Sequence, residues 1–295
     1  MAVPLPHPLY LLVIDHRRQW VEWCDEHGID HLRIREIKRL AADAFLLARR
    51  DSMYAMESGV LLVDRQSGAE AFVRARAGGA FVGTPAERDD AFPLEWTGAF
   101  EKVLPGEFVK VLVRHEEDLA AEIFEGQLAS VLQLHQWCNA SQKPLVVDVC
   151  IDRSTTKGTL RRKTVPGLLG AYIGEAYSRG IVPQYWMLEC IPDPAAMLEL
   201  DRAIREREGP RLLTLVDRTA RDAVVAGFEA ARDLSCIAGV AVGHPVYREA
   251  ACEFLLGRLA ADDAVHAIAA DYRNVIDLWR LTAVRGAADQ SHGSS

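Results

Sequence analysis

Residues Phe108–Gln136 read FVKVLVRHEEDLAAEIFEGQLASVLQLHQ. The first part, Phe108–Arg114, is rich in valine and typical of a β-strand. The second part, Asp118–Gln136, has the 3.6-residue apolar periodicity of a helix. A strand that is followed by a long helix is the unit that joins parallel strands. This stretch therefore predicts an α/β protein with a parallel sheet.

The same alternation continues along the chain in both directions. Eight strand segments are predicted: Leu9–Asp15, Gly59–Asp64, Ala91–Trp96, Phe108–Arg114, Pro144–Ile151, Pro183–Ile191, Arg211–Asp217 and Ile237–Val242. Because eight strand–helix units fit within 295 residues, the pattern favours a closed (β/α)8 TIM barrel over an open, doubly wound sheet.

No linker interrupts this alternation, so residues 1–285 are predicted to form a single barrel domain. Two connections are irregular. Ile34–Glu57 is a long helical pattern before the second strand, and Ala80–Asp90 is interpreted as an inserted loop before the third. Asp262–Val284 predicts a last helix outside the barrel, and the polar segment 286–295 is predicted to be a disordered tail.

The composition is that of an ordinary globular protein. Hydrophobic residues make up 49% and charged residues 26%, and the formal net charge is −8. An acidic chain without basic stripes argues against a nucleic-acid or membrane-surface partner. We expect a small-molecule carbohydrate or keto-acid partner, and the oligomeric state, including a homo-oligomer, stays open.

The six cysteines form no C-x-x-C pair and show no metal-ligand spacing. They are interpreted as reduced core residues of a cytoplasmic protein, and no zinc site is expected. Charged residues interrupt the apolar run near the N-terminus, so no signal peptide or membrane span is predicted.

Charged residues inside apolar strands are the candidate chemistry. Lys110, Asp148 and Glu189 each lie within a predicted parallel strand, where a charge needs a partner or a wet cavity. Two-residue alternation places Leu112 and Arg114 on the same face as Lys110. Since TIM-barrel sites lie at the C-terminal strand ends, we predict an inward group of one amine and several carboxylates. A purely structural ion pair is the alternative for any one residue.

Two loops could contact a ligand. Asp152–Lys163 is rich in hydroxyl and basic side chains, which suits either a lid over a phosphate or carboxylate or a solvated basic loop. The turn at Gly243 and His244 is where barrels often bind phosphate through backbone N–H groups. Asp64 and Asp217 are interpreted as caps of the helices that follow them.

Several runs resemble one known family when they are taken together. They are LYLLVIDHR (Leu9–Arg17), GVLLVDRQSG (Gly59–Gly68), PLEWTG (Pro93–Gly98), FVKVLVR (Phe108–Arg114), WMLE (Trp186–Glu189) and GVAVG (Gly239–Gly243). In this order they resemble the bacterial family typified by the 2-deoxy-5-keto-D-gluconate 6-phosphate aldolase domain of inositol catabolism. That family is similar to the tagatose-bisphosphate and sulfosugar-phosphate class I aldolases. The resemblance, from Leu9 to Arg280, implies a TIM-barrel lyase of carbohydrate metabolism.

The resemblance also implies roles for the residues that match. Asp15 and Arg17 match a substrate-hydroxyl contact, and Lys110 matches the strand-four lysine. The remaining matches are two acids and a loop cation, namely Glu95, Glu189 and Arg161.

Three positions depart from the family pattern. Met187 stands where the family has its Schiff-base lysine, Trp96 where it commonly has lysine, and His244 where an arginine would hold phosphate. A thioether cannot attack a carbonyl, so the usual imine is not expected at position 187. The departures indicate a less anionic ligand or a different reaction.

Three functions are compatible with the sequence. The first is an aldolase-type lyase or related carbonyl enzyme acting on a sugar or sugar acid, phosphorylated or not, without a cofactor. Lys110 would be its remaining amine, as imine former or as acid–base group, and its proton-moving carboxylates would be Asp15, Glu95, Asp148 and Glu189. The second is an isomerase or lyase that uses a divalent cation on Glu95, Asp148 and Glu189. The third is a non-catalytic sugar-binding barrel.

The first hypothesis also predicts which side chains line the substrate site. They are Asp15, Arg17, Arg114, Arg161, Met187, Gly243 and His244.

Overall fold

A computed structural model of the chain describes residues 5–15, 18–89, 91–103, 105–151, 164–216 and 221–292, of which 103, 221–222 and 283–292 are described by their backbone alone. Its strands are Leu9–Ile14 (β1), Gly59–Val63 (β2), Phe81–Pro85 (β3), Phe108–His115 (β4), Leu145–Ile151 (β5), Tyr185–Glu189 (β6), Arg211–Val216 (β7) and Ile237–Val242 (β8). They pair in parallel in sequence order, and β8 pairs with β1. The closed barrel confirms the predicted single-domain (β/α)8 fold.

Helices alternate with the strands and pack around the barrel. They are Arg18–His27 (α1), Ile34–Asp51 (α2), Met53–Ser58 (α3), Arg65–Ala77 (α4), Phe100–Val103 (α5), Ala121–Ala140 (α6), Val165–Ser178 (α7), Pro194–Ile204 (α8), Arg221–Ala231 (α9), His244–Leu255 (α10) and Ala261–His292 (α11). Among the described residues, no helix is both long enough and apolar enough to span a membrane.

Two helix predictions need correction. The long pattern before β2 is split at Ser52, whose hydroxyl accepts the N–H of Ala55 and so begins α3. The last helix, α11, continues to His292 and includes most of the segment predicted as a disordered tail. That segment contains alanines, which favour a helix that already has a packed first half.

The third strand lies earlier than predicted. It is Phe81–Pro85, so the prediction of a strand at Ala91–Trp96 is wrong, and Ala80–Asp90 is not an inserted loop. Glycine and proline are typical of loops, but here the glycine allows close packing. A Cβ at Gly83 would lie 2.2 Å from the ring of Phe108 on the neighbouring strand, so only glycine fits beside that ring.

Side chains of each strand alternate between the barrel interior and the helical layer. The residues that form the interior core are Leu5, Leu9, Leu11, Val13, Val60, Leu62, Phe108, Val146, Met187, Leu213, Ala238 and Ala241. On β6, Trp186 faces outward instead. Its Nε1 donates to the hydroxyl of Tyr177 at 3.0 Å, and that hydroxyl donates to the carbonyl of Ile204 at 2.8 Å. This contact with α7 and α8 fixes Met187 on the interior face.

A buried ion pair joins the ends of the first two strands. The side chain of Lys38, on α2, is 0% exposed, and its Nζ lies 3.1 Å from Oδ2 of Asp64. The same ammonium donates to the carbonyl of Ile14 at the end of β1. Asp64 also accepts the N–H of Ser67 at 2.8 Å and caps α4, which confirms its predicted capping role.

Replacing Lys38 with methionine should destabilise the protein. Lys38→Met leaves the carboxylate of Asp64 partly buried without its cation, and we expect the free energy of unfolding to fall by about 3 kcal/mol. Urea unfolding followed by tryptophan fluorescence measures the change. Lys102→Met removes an exposed lysine and should change the free energy by less than about 0.5 kcal/mol. Equal effects of the two substitutions would contradict a structural role for Lys38.

Candidate active site

Lys110 lies inside the barrel near its C-terminal mouth. It is two residues beyond Phe108 on the interior face of β4, and its side chain is only 4% exposed. Its Nζ is 3.0 Å from Oδ2 of Asp15, the residue that follows β1. Because β1 and β4 are not neighbours in the sheet, this contact crosses the interior.

Two more carboxylates contact the same ammonium. Nζ of Lys110 is 3.3 Å from Oδ2 of Asp148, on β5, and 3.3 Å from Oε1 of Glu87, just beyond β3. We call Lys110, Asp15, Glu87 and Asp148 the lysine–carboxylate cluster. The three acidic side chains are 8%, 11% and 9% exposed, so water screens their contacts weakly. The predicted inward group of one amine and several carboxylates is therefore present.

Glu87 is the member of the cluster that sequence reasoning missed, because the third strand was placed too late. Alternation along β3 carries Phe81, Pro85 and then Glu87 to the interior side. The N–H of Ala86 donates to the carbonyl of Lys110 at 2.9 Å, which holds this segment against β4. The short apolar run at the start of β3 is the sequence signal that indicates this strand and therefore the position of Glu87.

Glu95 does not reach the cluster. It lies in the irregular segment after β3, where its side chain is 58% exposed and its Oε2 accepts a hydrogen bond of 2.9 Å from Arg88. An exposed ion pair of this kind contributes little stability. The structure therefore places Glu87, and not Glu95, beside Lys110.

Burial and charge set the protonation of the cluster. Burial alone would lower the pKa of Lys110, but the three carboxylates, Asp15 foremost, hold that pKa well above its ordinary value. Burial raises the pKa of Asp148 to about 7, against the opposing effect of Lys110. Burial likewise raises the pKa of Glu87, again opposed by Lys110, while Asp15 adds to the rise. At neutral pH Lys110 is thus an ammonium, and Asp148 is near the midpoint of its titration.

Met187, at the position where the resemblance implies a Schiff-base lysine, lies beside the cluster. Met187 is fully buried in the interior core with Val146 and Leu213, and its backbone is in register with Asp148. Glu189 follows two residues later on the same face and is partly exposed. A side chain at position 187 therefore lies next to Asp148, with Glu189 nearer the mouth.

Arg114 and Cys150 lie above the cluster. Arg114 is on the interior face of β4, partly exposed, and in register with Cys150 on β5. None of the six cysteines forms a disulfide bond, as the sequence predicts. Cys150 is exposed and Cys252 partly so, which corrects the prediction of core positions. Cys150 is exposed because the end of β5 opens into the mouth.

Gly243 and His244 begin α10 directly after β8. The ring of His244 is buried, and its centroid lies 5.8 Å from that of Trp20 and 5.4 Å from that of Tyr247. These contacts give His244 a packing role between α1 and α10.

Several predicted residues lie outside the described part of the chain. They are Arg17, Arg161, Asp217 and the loop 152–163. Their proposed contacts with a ligand stay predictions.

The predicted cation site of Glu95, Asp148 and Glu189 is not assembled, since Glu95 lies on the exposed segment. Among the residues that the structure describes, no group of three or more histidine, cysteine, aspartate or glutamate side chains is arranged to hold a metal ion. The ammonium of Lys110 lies between the three clustered carboxylates.

The barrel is similar in structure to aldolases. Fructose-bisphosphate aldolase from Plasmodium falciparum matches with a TM-score of 0.68 and 7% identity, over 93% of this chain and 91% of that chain. A Schiff base-forming fructose-1,6-bisphosphate aldolase matches with a TM-score of 0.51 and 15% identity, over 88% and 92%. A protein from Corynebacterium glutamicum (Brevibacterium flavum) matches with a TM-score of 0.59 and 15% identity, over 89% and 86%. At these identities the likeness shows a shared fold.

The family model "Uncharacterized protein conserved in bacteria (DUF2090)" matches residues 4–283. The chain therefore belongs to the DUF2090 family. No curated protein matches it by sequence.

The cluster predicts an unusual titration of Asp148. Carboxyl ¹³C NMR should show one aspartate that titrates near pH 7, because burial raises its pKa, and Asp148→Asn should remove that signal. Lys110→Met should move the titration to higher pH, because the ammonium lowers the pKa of its neighbour. Lys102→Met, at an exposed site, should leave it in place. A titration of Asp148 near pH 4 would contradict the geometry of the cluster.

Proposed function

We propose that this protein is an aldolase-type carbon–carbon lyase, or a related carbonyl enzyme, that acts on a sugar or sugar acid. The lysine–carboxylate cluster carries the proposal, since Nζ of Lys110 lies within 3.3 Å of Asp15, Glu87 and Asp148 near the barrel mouth. Buried acids around a fixed positive charge can align hydroxyl groups and move protons.

Two likenesses support the choice of reaction and substrate. The sequence runs resemble the 2-deoxy-5-keto-D-gluconate 6-phosphate aldolase domain of inositol catabolism, which favours a keto sugar acid as substrate. The structural relatives include fructose-bisphosphate aldolases, which share the barrel. A small-molecule substrate, a cytoplasmic location and the absence of a resident cofactor belong to the same proposal.

The proposed reaction proceeds without an imine. An amine must lose its proton before it attacks a carbonyl, and the carboxylates keep Lys110 protonated. The position where the resemblance places the imine lysine is occupied by Met187. General acid–base catalysis at the cluster is therefore the proposed route.

Asp148 is the proposed base. It takes the proton of the hydroxyl on the carbon β to the carbonyl; that carbon becomes an aldehyde, and the carbon–carbon bond breaks. The released electron pair forms the enolate, whose negative oxygen is stabilised by the positive charge of Lys110. Asp148 then returns its proton to the enolate carbon, and the ketone product leaves. Protons and electrons balance without a further reactant.

We expect cleavage of a hydroxylated keto substrate to show these roles. A panel of 5-keto sugar acids, with and without a 6-phosphate, is incubated with the protein, and the aldehyde product is followed by ¹H NMR. Since Asp148 acts as an anion, kcat/KM should rise with pH through about 7. Asp148→Asn should lower kcat by about 100-fold or more, whereas Glu70→Gln, an exposed glutamate on α4, should leave it unchanged.

Other outcomes would replace the proposal. If a chelator abolishes cleavage and a divalent cation restores it, the metal-assisted alternative holds. If calorimetry shows tight binding of a keto sugar acid without turnover, the protein is a sugar-binding barrel.

A lysine at position 187 should restore imine formation. The methionine side chain has similar length and lies in the interior core in register with Asp148, so Met187→Lys places an amine beside the proposed carbonyl site. Borohydride trapping with keto sugars, read by intact mass, should give an adduct with this variant and none with the natural protein. Met53→Lys, at an exposed site on α3, is the control. An adduct on Lys110 of the natural protein would show instead that Lys110 forms the imine.

A further inference from the structure

The ammonium of Lys110 has no donor to spare for a substrate. A lysine ammonium carries three N–H groups, and Lys110 has three carboxylate partners at 3.0, 3.3 and 3.3 Å. It can stabilise a negative oxygen through its charge. A direct hydrogen bond to the substrate carbonyl would have to come from another group or cost one of these contacts.

Glu87 is the member of the cluster that has one carboxyl oxygen without a hydrogen-bond partner among the described residues. Its Oε1 lies 3.3 Å from Nζ of Lys110, while its Oε2 is buried and has no hydrogen-bond partner among the described residues. A buried polar atom without a partner destabilises the folded protein. A ligand that pairs with Oε2 would remove that destabilisation.

Backbone contacts hold the segment around Glu87 in place. Beside it, the N–H of Ala86 donates to the carbonyl of Lys110 at 2.9 Å, and the N–H of Arg88 donates to the carbonyl of Glu95 at 2.8 Å. Glu87 itself pairs with Trp96 in an isolated antiparallel bridge. Because the backbone is fixed on both sides of Glu87, less ordering is needed for its side chain to present one oxygen to a ligand.

The same carboxyl can carry a proton. Burial raises the pKa of Glu87, and the negative charge of Asp15 adds to the rise, although Lys110 opposes it. Because Oε1 faces the ammonium and acts as an acceptor, the proton belongs on Oε2. A protonated carboxyl with this geometry is a hydrogen-bond and proton donor.

We propose that Glu87 is the proton donor to the carbonyl oxygen of the substrate, acting through Oε2 while Oε1 stays on Lys110. This role rests on the proposed carbonyl chemistry and identifies a further catalytic residue for it. When Asp148 removes a proton from the substrate, the electron pair moves to the carbonyl oxygen, and the proton of Glu87 converts that oxygen to an enol hydroxyl. On return to the ketone, Glu87 takes this proton back and Asp148 protonates the carbon.

Hydrogen exchange of dihydroxyacetone in D₂O tests this step without any carbon–carbon cleavage. The natural protein should exchange the CH₂ protons of this ketone for deuterium, which ¹H NMR follows directly. Glu87→Gln retains the shape and an acceptor for Lys110 but has no acidic proton, so the exchange rate should fall by about 100-fold. Glu70→Gln is the matched control and should exchange like the natural protein.

The pH profile separates proton donation from a structural effect. In the natural protein the exchange rate should fall as the pH rises through the pKa of Glu87, which burial raises above its ordinary value, because the carboxyl then loses its proton. This decline should be absent from the residual exchange of Glu87→Gln. Glu87→Asp keeps an acidic proton on a shorter side chain and should exchange faster than Glu87→Gln, and circular dichroism shows whether each variant is folded.

The outcomes distinguish this inference from the proposed function. If Asp148→Asn loses exchange while Glu87→Gln keeps the natural rate, the carbonyl chemistry stands and Glu87 is not the donor. Proton donation is also overturned if Glu87→Asp is slower than Glu87→Gln. If the natural protein exchanges no CH₂ protons, the proposed enolisation fails, and the role of Glu87 in it fails too.

Discussion

The ammonium of Lys110 balances three carboxylates that come from different parts of the barrel. Asp15 follows β1, Glu87 follows β3, and Asp148 lies on β5. Without the ammonium, three negative charges would share a poorly solvated space, which is costly unless protons neutralise them. The arrangement requires a closed barrel, because only closure brings the end of β1 across the interior to β4.

The methionine at position 187 changes the charge balance of this site. The resemblance places a second amine there, and an additional ammonium beside Asp148 would offset more of the negative charge. With a thioether there, Lys110 is the cation that opposes the rise in the pKa values of Asp148 and Glu87, which burial and the negative charge of Asp15 produce. Met187 thus offers no nucleophile, while Asp148 has a pKa of about 7 and can exchange protons near neutral pH. This agrees with the proposed acid–base route.

The surrounding structure keeps the cluster in register. Lys38 links the carbonyl of Ile14, directly before Asp15, to the cap of α4. On the opposite side, Trp186 bonds to Tyr177 of the helical layer, so Met187 must face inward. Neither contact involves a member of the lysine–carboxylate cluster. Both act by fixing the strand ends from which the functional side chains project.

The sequence by itself determined the fold class and most of the strands. The 2-residue period of strands and the 3.6-residue period of helices depend only on nearby positions in the chain, so the sequence reveals them. Lys110 and Asp148 stand out because few apolar strands contain a buried charge. The local sequence pattern gave the wrong position for β3, because Gly83 and Pro85 are typical of a loop. Gly83 is needed there because the ring of Phe108 on the next strand leaves no room for a side chain. Residue spacing does not reveal that neighbour. Because β3 was placed too late, Glu95 was predicted at the site in place of Glu87. Only the tertiary structure decided which acids surround Lys110. Strand pairing brings Glu87 and Asp148 beside it, and closure of the barrel brings Asp15, which is 95 positions away in the chain. Burial and the charges of the neighbouring cluster members together set their protonation.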